Sequence, residues 1–490
     1  MTPTDRVECH PSWMQASPNT YTQPYGFQEV LYNAIAAPPG SPALFLIGTW
    51  ATLSYTPSSP DNRLSVHELA LRFRGAWLQM RLDYPTLAAE GRPEGKTYTA
   101  PTSSAELEQW LDETFIVAPG RTAVEHWNSM VKTRHMSLFF LPEERQLFLQ
   151  GEHHTLDGRG TMNFWDRFFQ ALASQTKDNP IKLDGSEVSR LPPRSDDLLD
   201  MTEKKPGRAE QRAHELLEPL TSMESPIFLP AQHPLPPCSL RNAMLELKIS
   251  TSATQSIIAA CKAKGLSMTA AWHAAVVLAT QTAQARRNEA MGAGAVAGAQ
   301  FGCFGNFDLR RYFPAPGTGA GAPPLPDVYA LNNHHCILPY VVTPGGKTFA
   351  QLCRELGAFY SQDVPRADPE VWSALGPMIR TMVPDFVKPQ LDETTPALSS
   401  LGVVDSFIKS TYVDADGKGK WGIEHLWFGN TVMGPWFECF MWAWKGRLSF
   451  NICYNSAYYS HVEVEEFNQL VLEKMVEGLG VTSWSPGSKL

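Results

Sequence analysis

The chain has 490 residues, of which 43% are hydrophobic and 19% charged, a composition that excludes wholesale disorder and supplies a large buried core. Its 41 Lys and Arg against 50 Asp and Glu leave a net charge of −9, so there is no global attraction for nucleic acid or an anionic membrane, and neither is expected as a partner. The 8 cysteines form no CxxC pair and are read as free thiols in a reducing compartment. The start MTPTDRVECHPSW lacks a basic stretch followed by an apolar one, and the apolar run 44–47 is too short for a bilayer, so neither a secretory signal nor a membrane span is expected.

In chain order, residues 1–35 are polar and rich in Pro and Tyr and read as an arm laid on the surface. A strand is predicted over 43–55, then a helix over 65–82 with Ser65 as its N-cap and Glu68 three residues on. Pro85 stops that helix, and a shorter amphipathic one covers 103–115. Strands 136–141 and 146–152 are joined by Pro-Glu-Glu-Arg, a hairpin signal, and a Phe- and Trp-rich helix spans 159–174. Residues 176–240, with LPPRSDD, EKKPGR and LPAQHPLPP, read as a crossover linker between an N-terminal lobe (36–175) and a C-terminal lobe (241–490). Beyond it come strand 243–249, helices 251–264 and 267–285, and a Gly/Ala loop at 292–299 without the Gly-Lys-Ser/Thr of a phosphate loop. Strand signals at 300–309, 334–343, 400–407, 432–444 and 447–454 interleave with helices 347–362 and 462–478. Without helix–strand alternation at dinucleotide-fold spacing, two α+β lobes are expected, each a mixed sheet plus helices.

The chemistry concentrates in GEHHTLDGRG at 151–160. A strand ends at His153, Asp157 and Gly158 occupy the turn after it, and a helix follows. That order holds an imidazole at a strand end, with a carboxylate able to brace it and a glycine that permits the turn. One imidazole with no Ser or Cys nucleophile beside it suits a general base acting on a bound substrate. An isolated HxxxD is equally the pattern of a strand-to-helix turn with a satisfied histidine. Its place after a hairpin and before an aromatic helix favours the functional reading.

HxxxDG in this setting resembles the chloramphenicol-acetyltransferase-like superfamily, the HxxxDG acyltransferases. FRGAWLQMRLDYPTLAA (73–89), FGNFDLRR (304–311), SSLGVVD (399–405) and LSFNICYNSAYYS (448–460) resemble further stretches of that family in the same order. Within it, the likeness is strongest to the fungal trichothecene 15-O-acetyltransferase type. Two departures argue for a free-standing enzyme: Glu152 stands where condensation domains carry a first His, and the DFGWG of plant acyltransferases is missing, with FGNTVMGPWFE (428–438) only roughly in its place.

The resemblance implies an inter-lobe channel with His153 as catalytic base, reachable from both ends. It implies Asp157 as a structural residue paired with Arg310, or failing that Arg311. Oxyanion donors are sought in the Gly158 N–H and, from the opposite lobe, Ser400 or Asn430. The function implied is acetyl transfer from acetyl-CoA, a co-substrate rather than a bound cofactor, to a hydroxyl of a small fungal secondary metabolite, by a monomer. The alternative is a carrier-protein-dependent condensation-type acyltransferase or a non-catalytic binding module.

No metal is expected. Adjacent strand residues face opposite ways, so His153 and His154 cannot readily share an ion, and His334-His335-Cys336 reads as strand packing. Trp427, Trp436, Trp442 and Trp444 are read as core and channel wall. The chain ends Ser488-Lys489-Leu490, the tripeptide read by the peroxisomal import receptor, so the expected location is the peroxisome and otherwise the cytoplasm.

Overall fold

The computed structural model describes residues 12–36, 45–175, 183–231, 241–293, 298–314, 328–386, 393–432 and 434–481. The tail tripeptide lies outside them. Eight strands frame the site: β1 (Leu46–Pro57), β2 (Gln146–Glu152), β3 (Phe301–Asp308), β4 (His335–Val342), β5 (Ala397–Val403), β6 (Gly419–Asn430), β7 (Phe437–Trp444) and β8 (Arg447–Asn455). Three helices complete the frame: α1 (Phe27–Ala36), α2 (Gly158–Ala173) and α3 (Met268–Ala290).

One sheet has six strands in the order Thr411–Val413, β6, β1, β2, Ser137–Leu141, Phe115–Val117. A second has four, in the order Asn242–Lys248, β8, β7, β5, while β3 and β4 form a two-stranded ladder. Mixed sheets with helices packed on them give the α+β, two-lobed architecture expected of the sequence. The first core lies between the six-stranded sheet and α2 and includes Trp50, Phe148, Trp165, Phe168 and Trp427. Around α3, β7 and β8 lies a second, with Trp272, Met441, Phe450 and Ile452.

A cut at 241 does not separate the sheets. β6 comes from the C-terminal half, yet it pairs with β1 from Gly419↔Pro57 to Asn430↔Ile47. β7 then begins at Phe437 in the other sheet, so this stretch joins the two lobes. The strand predicted over 432–444 starts only at Phe437, and no strand was expected where β6 lies. Most of it is buried, so it lacks the period-two alternation of a half-buried strand, and its glycines read as turns. They serve close packing instead: a Cβ on Gly429 would lie 2.3 Å from the Trp427 ring.

The N-terminal arm also differs from expectation. Residues 20–24 pair with 95–99, and α1 buries Phe27, Leu31, Tyr32 and Ile35 in a third core with Phe45, Leu309 and Leu375. Within 176–240, helix Arg208–Thr221 adds Ala213 and Leu217 to the same core. Burial of that apolar face holds α1 in place, and a buried ion pair between Lys96 Nζ and Glu29 Oε1 at 2.6 Å fastens it.

Candidate active site

β2 ends at Glu152, and the Thr155 N–H donates to the Glu152 carbonyl at 3.0 Å, closing a turn that leaves His153 and His154 on opposite sides. His153 lines a chamber between the sheets. His154 is 2% exposed, sits edge-on to Tyr25 and lies 3.9 Å from Glu152, away from the chamber. Asp157 is the N-cap of α2, with extended backbone (φ −97°, ψ −179°), and its Oδ1 accepts from the Gly160 N–H at 2.6 Å. Gly158 follows as the first helical residue; a Cβ there would meet Leu401 at 2.8 Å.

The structure brings Asp157 and Arg310 together. Arg310 Nη1 lies 2.8 Å from Asp157 Oδ2, and the His334 N–H donates to the same oxygen at 2.7 Å. The guanidinium also donates to the carbonyls of Tyr329 (Nε, 2.7 Å) and Asn332 (Nη2, 2.9 Å) and to Asp308 Oδ1 (3.2 Å). Arg311 points elsewhere, over the Tyr312 ring. The carboxylate is thus spent on α2, Arg310 and the strand entering β4, and it fixes the loop that carries His153 rather than touching its ring.

Around His153 the chamber wall includes Tyr32, Phe45, Ile47, Asn306, His335, Ser400, Leu401, Phe428, Asn430, Glu438 and Phe440. A second cavity, beside the N-terminal end of α3, shares Asn306 and Ser400 with the chamber, so the two abut at those side chains. On the α1 side, the Tyr32 ring lies flat over the imidazole, 3.9 Å between centroids and 5° between planes. His153 is therefore covered on one ring face. Ser400 and Asn430 both reach the chamber, yet both are engaged: Ser400 Oγ with Thr269 Oγ1 at 2.8 Å, and Asn430 Nδ2 with the Thr431 carbonyl at 3.4 Å. Trp427, Trp442 and Trp444 are core residues, and Trp436 packs edge-on against Phe45.

No family model matches the chain. It is 23% identical over 455 residues to the acetyltransferase pigO of Monascus ruber, covering 91% of this chain and 94% of that protein. To the O-acetyltransferase pigM of Monascus ruber it is 23% identical over 466 residues, covering 91% and 83%. The structure of TRI3 trichothecene 15-O-acetyltransferase from Fusarium sporotrichioides matches with a TM-score of 0.77 at 17% identity, over 95% of this chain and 98% of that one. The chain has the chloramphenicol-acetyltransferase-like fold.

In this acyltransferase fold the electrostatics favour a neutral imidazole. Burial, then the neighbouring His335, push the His153 pKa down to about 3, against a smaller upward pull from backbone carbonyls and Asp157. Burial alone would raise Asp157, but the Arg310 guanidinium and the hydrogen bonds from it and Gly160 hold its carboxyl well below the usual range. Burial would also lower Arg310, and Asp157 with Asp308 keep it charged.

Three chamber residues escaped the sequence reading. Tyr32 sits in the segment taken for a surface arm. His335, taken for strand packing, donates from Nδ1 to Asn333 Oδ1 (2.9 Å) and accepts at Nε2 from the Tyr32 hydroxyl (2.8 Å). Asn333 Nδ2 in turn donates to the His153 carbonyl at 2.9 Å, closing a ring of contacts around the base. Glu438 had a signal, as the one charged residue in the apolar run FECFMWAW (437–444). No helix among the described residues is long and apolar enough to cross a membrane, and no group of three or more His, Cys, Asp or Glu among them could hold a metal ion.

Proposed function

We propose that the protein is an acetyl-CoA-dependent O-acetyltransferase acting on a hydroxyl of a fungal secondary metabolite, a sesquiterpenoid or a molecule like it. The observation that carries this reading is His153, neutral and facing a chamber between the lobes, on a loop fixed from behind by Asp157 and Arg310. The relatives named for acetyl transfer align with most of the chain and support acetyl as the group transferred.

In this mechanism the imidazole takes the proton of the acceptor hydroxyl as its oxygen attacks the thioester carbonyl. The tetrahedral oxyanion accepts hydrogen bonds from the Gly158 N–H and from Ser400 or Asn430, once either has exchanged its present partner. Collapse breaks the carbon–sulfur bond, and the imidazolium returns its proton to the leaving CoA thiolate. The second cavity offers the donor an approach to the chamber. Arg354 is the one charged side chain on its wall among the described residues and suits the phosphates of CoA.

The test is to incubate the purified chain with acetyl-CoA and a panel of terpenoid and polyketide alcohols, with no carrier protein present. Acetylated product with stoichiometric CoA release supports the reading. Transfer only from a carrier-bound acyl group would support the condensation-type alternative. Peroxisomal delivery through Ser488, Lys489 and Leu490 belongs to the same proposal, since β-oxidation generates acetyl-CoA there.

A further inference from the structure

All eight side chains of β7, FECFMWAW, are buried. Strand alternation sends Phe437, Cys439 and Met441 into the second core and turns Glu438 and Phe440 to the chamber. Glu438 is 9% exposed and lines the chamber, and among the described residues no Lys or Arg pairs with it; the Asn430 amide, at the end of β6 on the same chamber wall, favours its charged form. Tyr32 on α1, Cys303 on β3, Cys439 on β7 itself and Cys453 on β8 feel that charge, and none of them is a cation. A buried carboxylate without an ionic partner destabilises the fold that holds it, and a neutral residue of similar size would fill the same place. A ligand pocket places a few polar groups of this kind among apolar walls to orient what it binds. The rest of this wall, with Phe45, Ile47, Phe428 and Phe440, is apolar and suits a carbon skeleton.

We propose that Glu438 is the acceptor-recognising carboxyl of the chamber, accepting a hydrogen bond from a second hydroxyl of the acceptor, distinct from the one His153 deprotonates. The acceptor is accordingly a diol or a polyol. This inference rests on the O-acetyltransferase reading and adds the substrate's second polar group to it. Burial pushes the Glu438 pKa up to about 7, so near neutral pH the group both accepts and donates.

Two measurements test it. The first needs no acceptor: melting temperatures of wild type and Glu438→Gln at pH 5 and pH 8. Because the folded pKa is raised above the unfolded one, the penalty is absent at low pH and complete above about 7. Glu438→Gln should melt within about 1 °C of wild type at pH 5 and about 3 °C higher at pH 8. A lower melting temperature at both pH values would make Glu438 a structural residue and overturn the proposal.

The second takes the alcohol that wild type acetylates best and its derivative O-methylated at the hydroxyl that is not acylated. Methylation should lower wild-type kcat/KM by about 10- to 100-fold, mostly through KM, but lower that of Glu438→Leu by less than about threefold. Equal losses in both proteins, or a best acceptor with a single hydroxyl or an amine in that place, would overturn the proposal. If wild type acetylates no alcohol, the O-acetyltransferase reading fails, and the proposal with it, whereas the melting comparison still reports whether the carboxyl is kept at a cost.

Discussion

Breaking the Asp157–Arg310 pair should disable the protein through its fold rather than its chemistry. Arg310→Met leaves the Asp157 carboxylate 2% exposed, with the Gly160 and His334 N–H groups but no cation. It also strips donors from the carbonyls of Tyr329 and Asn332. Removing one partner of a buried pair costs about 3–5 kcal/mol. For a chain of 490 residues, whose unfolding entropy near 60 °C is about 1 kcal/mol per kelvin, that lowers Tm by about 3–5 °C.

Asp157→Asn should lose a similar amount, because its amide turns an N–H toward Arg310 and the His334 N–H. Arg310→Lys keeps the charge but not the fork that reaches three carbonyls and two carboxylates at once, and should fall between, at about 2 kcal/mol. The assay is urea and thermal unfolding of the three single variants and of Asp157→Asn/Arg310→Met, read as a double-mutant cycle. A coupling energy of about 2 kcal/mol or more is expected. Single variants within 0.5 kcal/mol of wild type, or a coupling near zero, would refute the reasoning.

Tyr32→Phe keeps the stack on His153 and loses the bond to His335, so kcat should fall about fivefold; Tyr32→Leu removes both and should fall further with little change in acetyl-CoA binding, and equal kinetics for the two would count against the stack. His126, His135, His153, His154, His273, His334 and His335 all have pKa values lowered first by burial. Each therefore contributes stability that is complete above the unfolded value near 6.5 and declines as pH falls, by up to about 1.4 kcal/mol per pH unit, so the urea midpoint should drop steeply from pH 6.5 to 5 and a flat profile would contradict the burial argument. For the same reason kcat/KM should show no acid limb centred near pH 6.5 in the range where the protein stays folded. A fluorescent protein fused ahead of residue 1 should give punctate peroxisomal signal that becomes diffuse when Leu490 is deleted; signal diffuse in both would end that part of the proposal.

What the sequence made legible was local. A strand running up to the residue before His153 and a helix behind the Asp157-Gly158 turn follow from the hairpin before them and the apolar helical stretch after them, while the N-cap role of Asp157 was not foreseen. The Ser65–Glu68 capping box is likewise where the pattern put it. The partner of Asp157 lies 153 residues away, and only the family likeness pointed to Arg310. β6 was illegible because a strand buried nearly throughout loses its alternation, and the insertion of a C-terminal strand beside β1 leaves no mark in either segment alone. Tyr32 lay hidden in a segment whose Pro and polar residues suggested solvent, although Phe27, Leu31 and Ile35 had already given it an apolar face. Ser400 and Asn430 were named for their chemistry; their present partners, Thr269 and Thr431, depend on tertiary contacts that composition does not reveal.

The central claim is that His153 is the base of an acetyl transfer. It is tested most directly by the steady-state rate of acetyl transfer from acetyl-CoA to the best alcohol acceptor, measured for wild type and His153→Ala at pH 7.5, with acetyl-CoA binding followed separately by calorimetry. General-base catalysis is worth about 10²–10⁴-fold, so turnover should fall by at least 100-fold while acetyl-CoA affinity and Tm stay close to wild type. His154→Ala, on the far side of the turn, should lose far less. Turnover by His153→Ala within a few-fold of wild type would contradict the account.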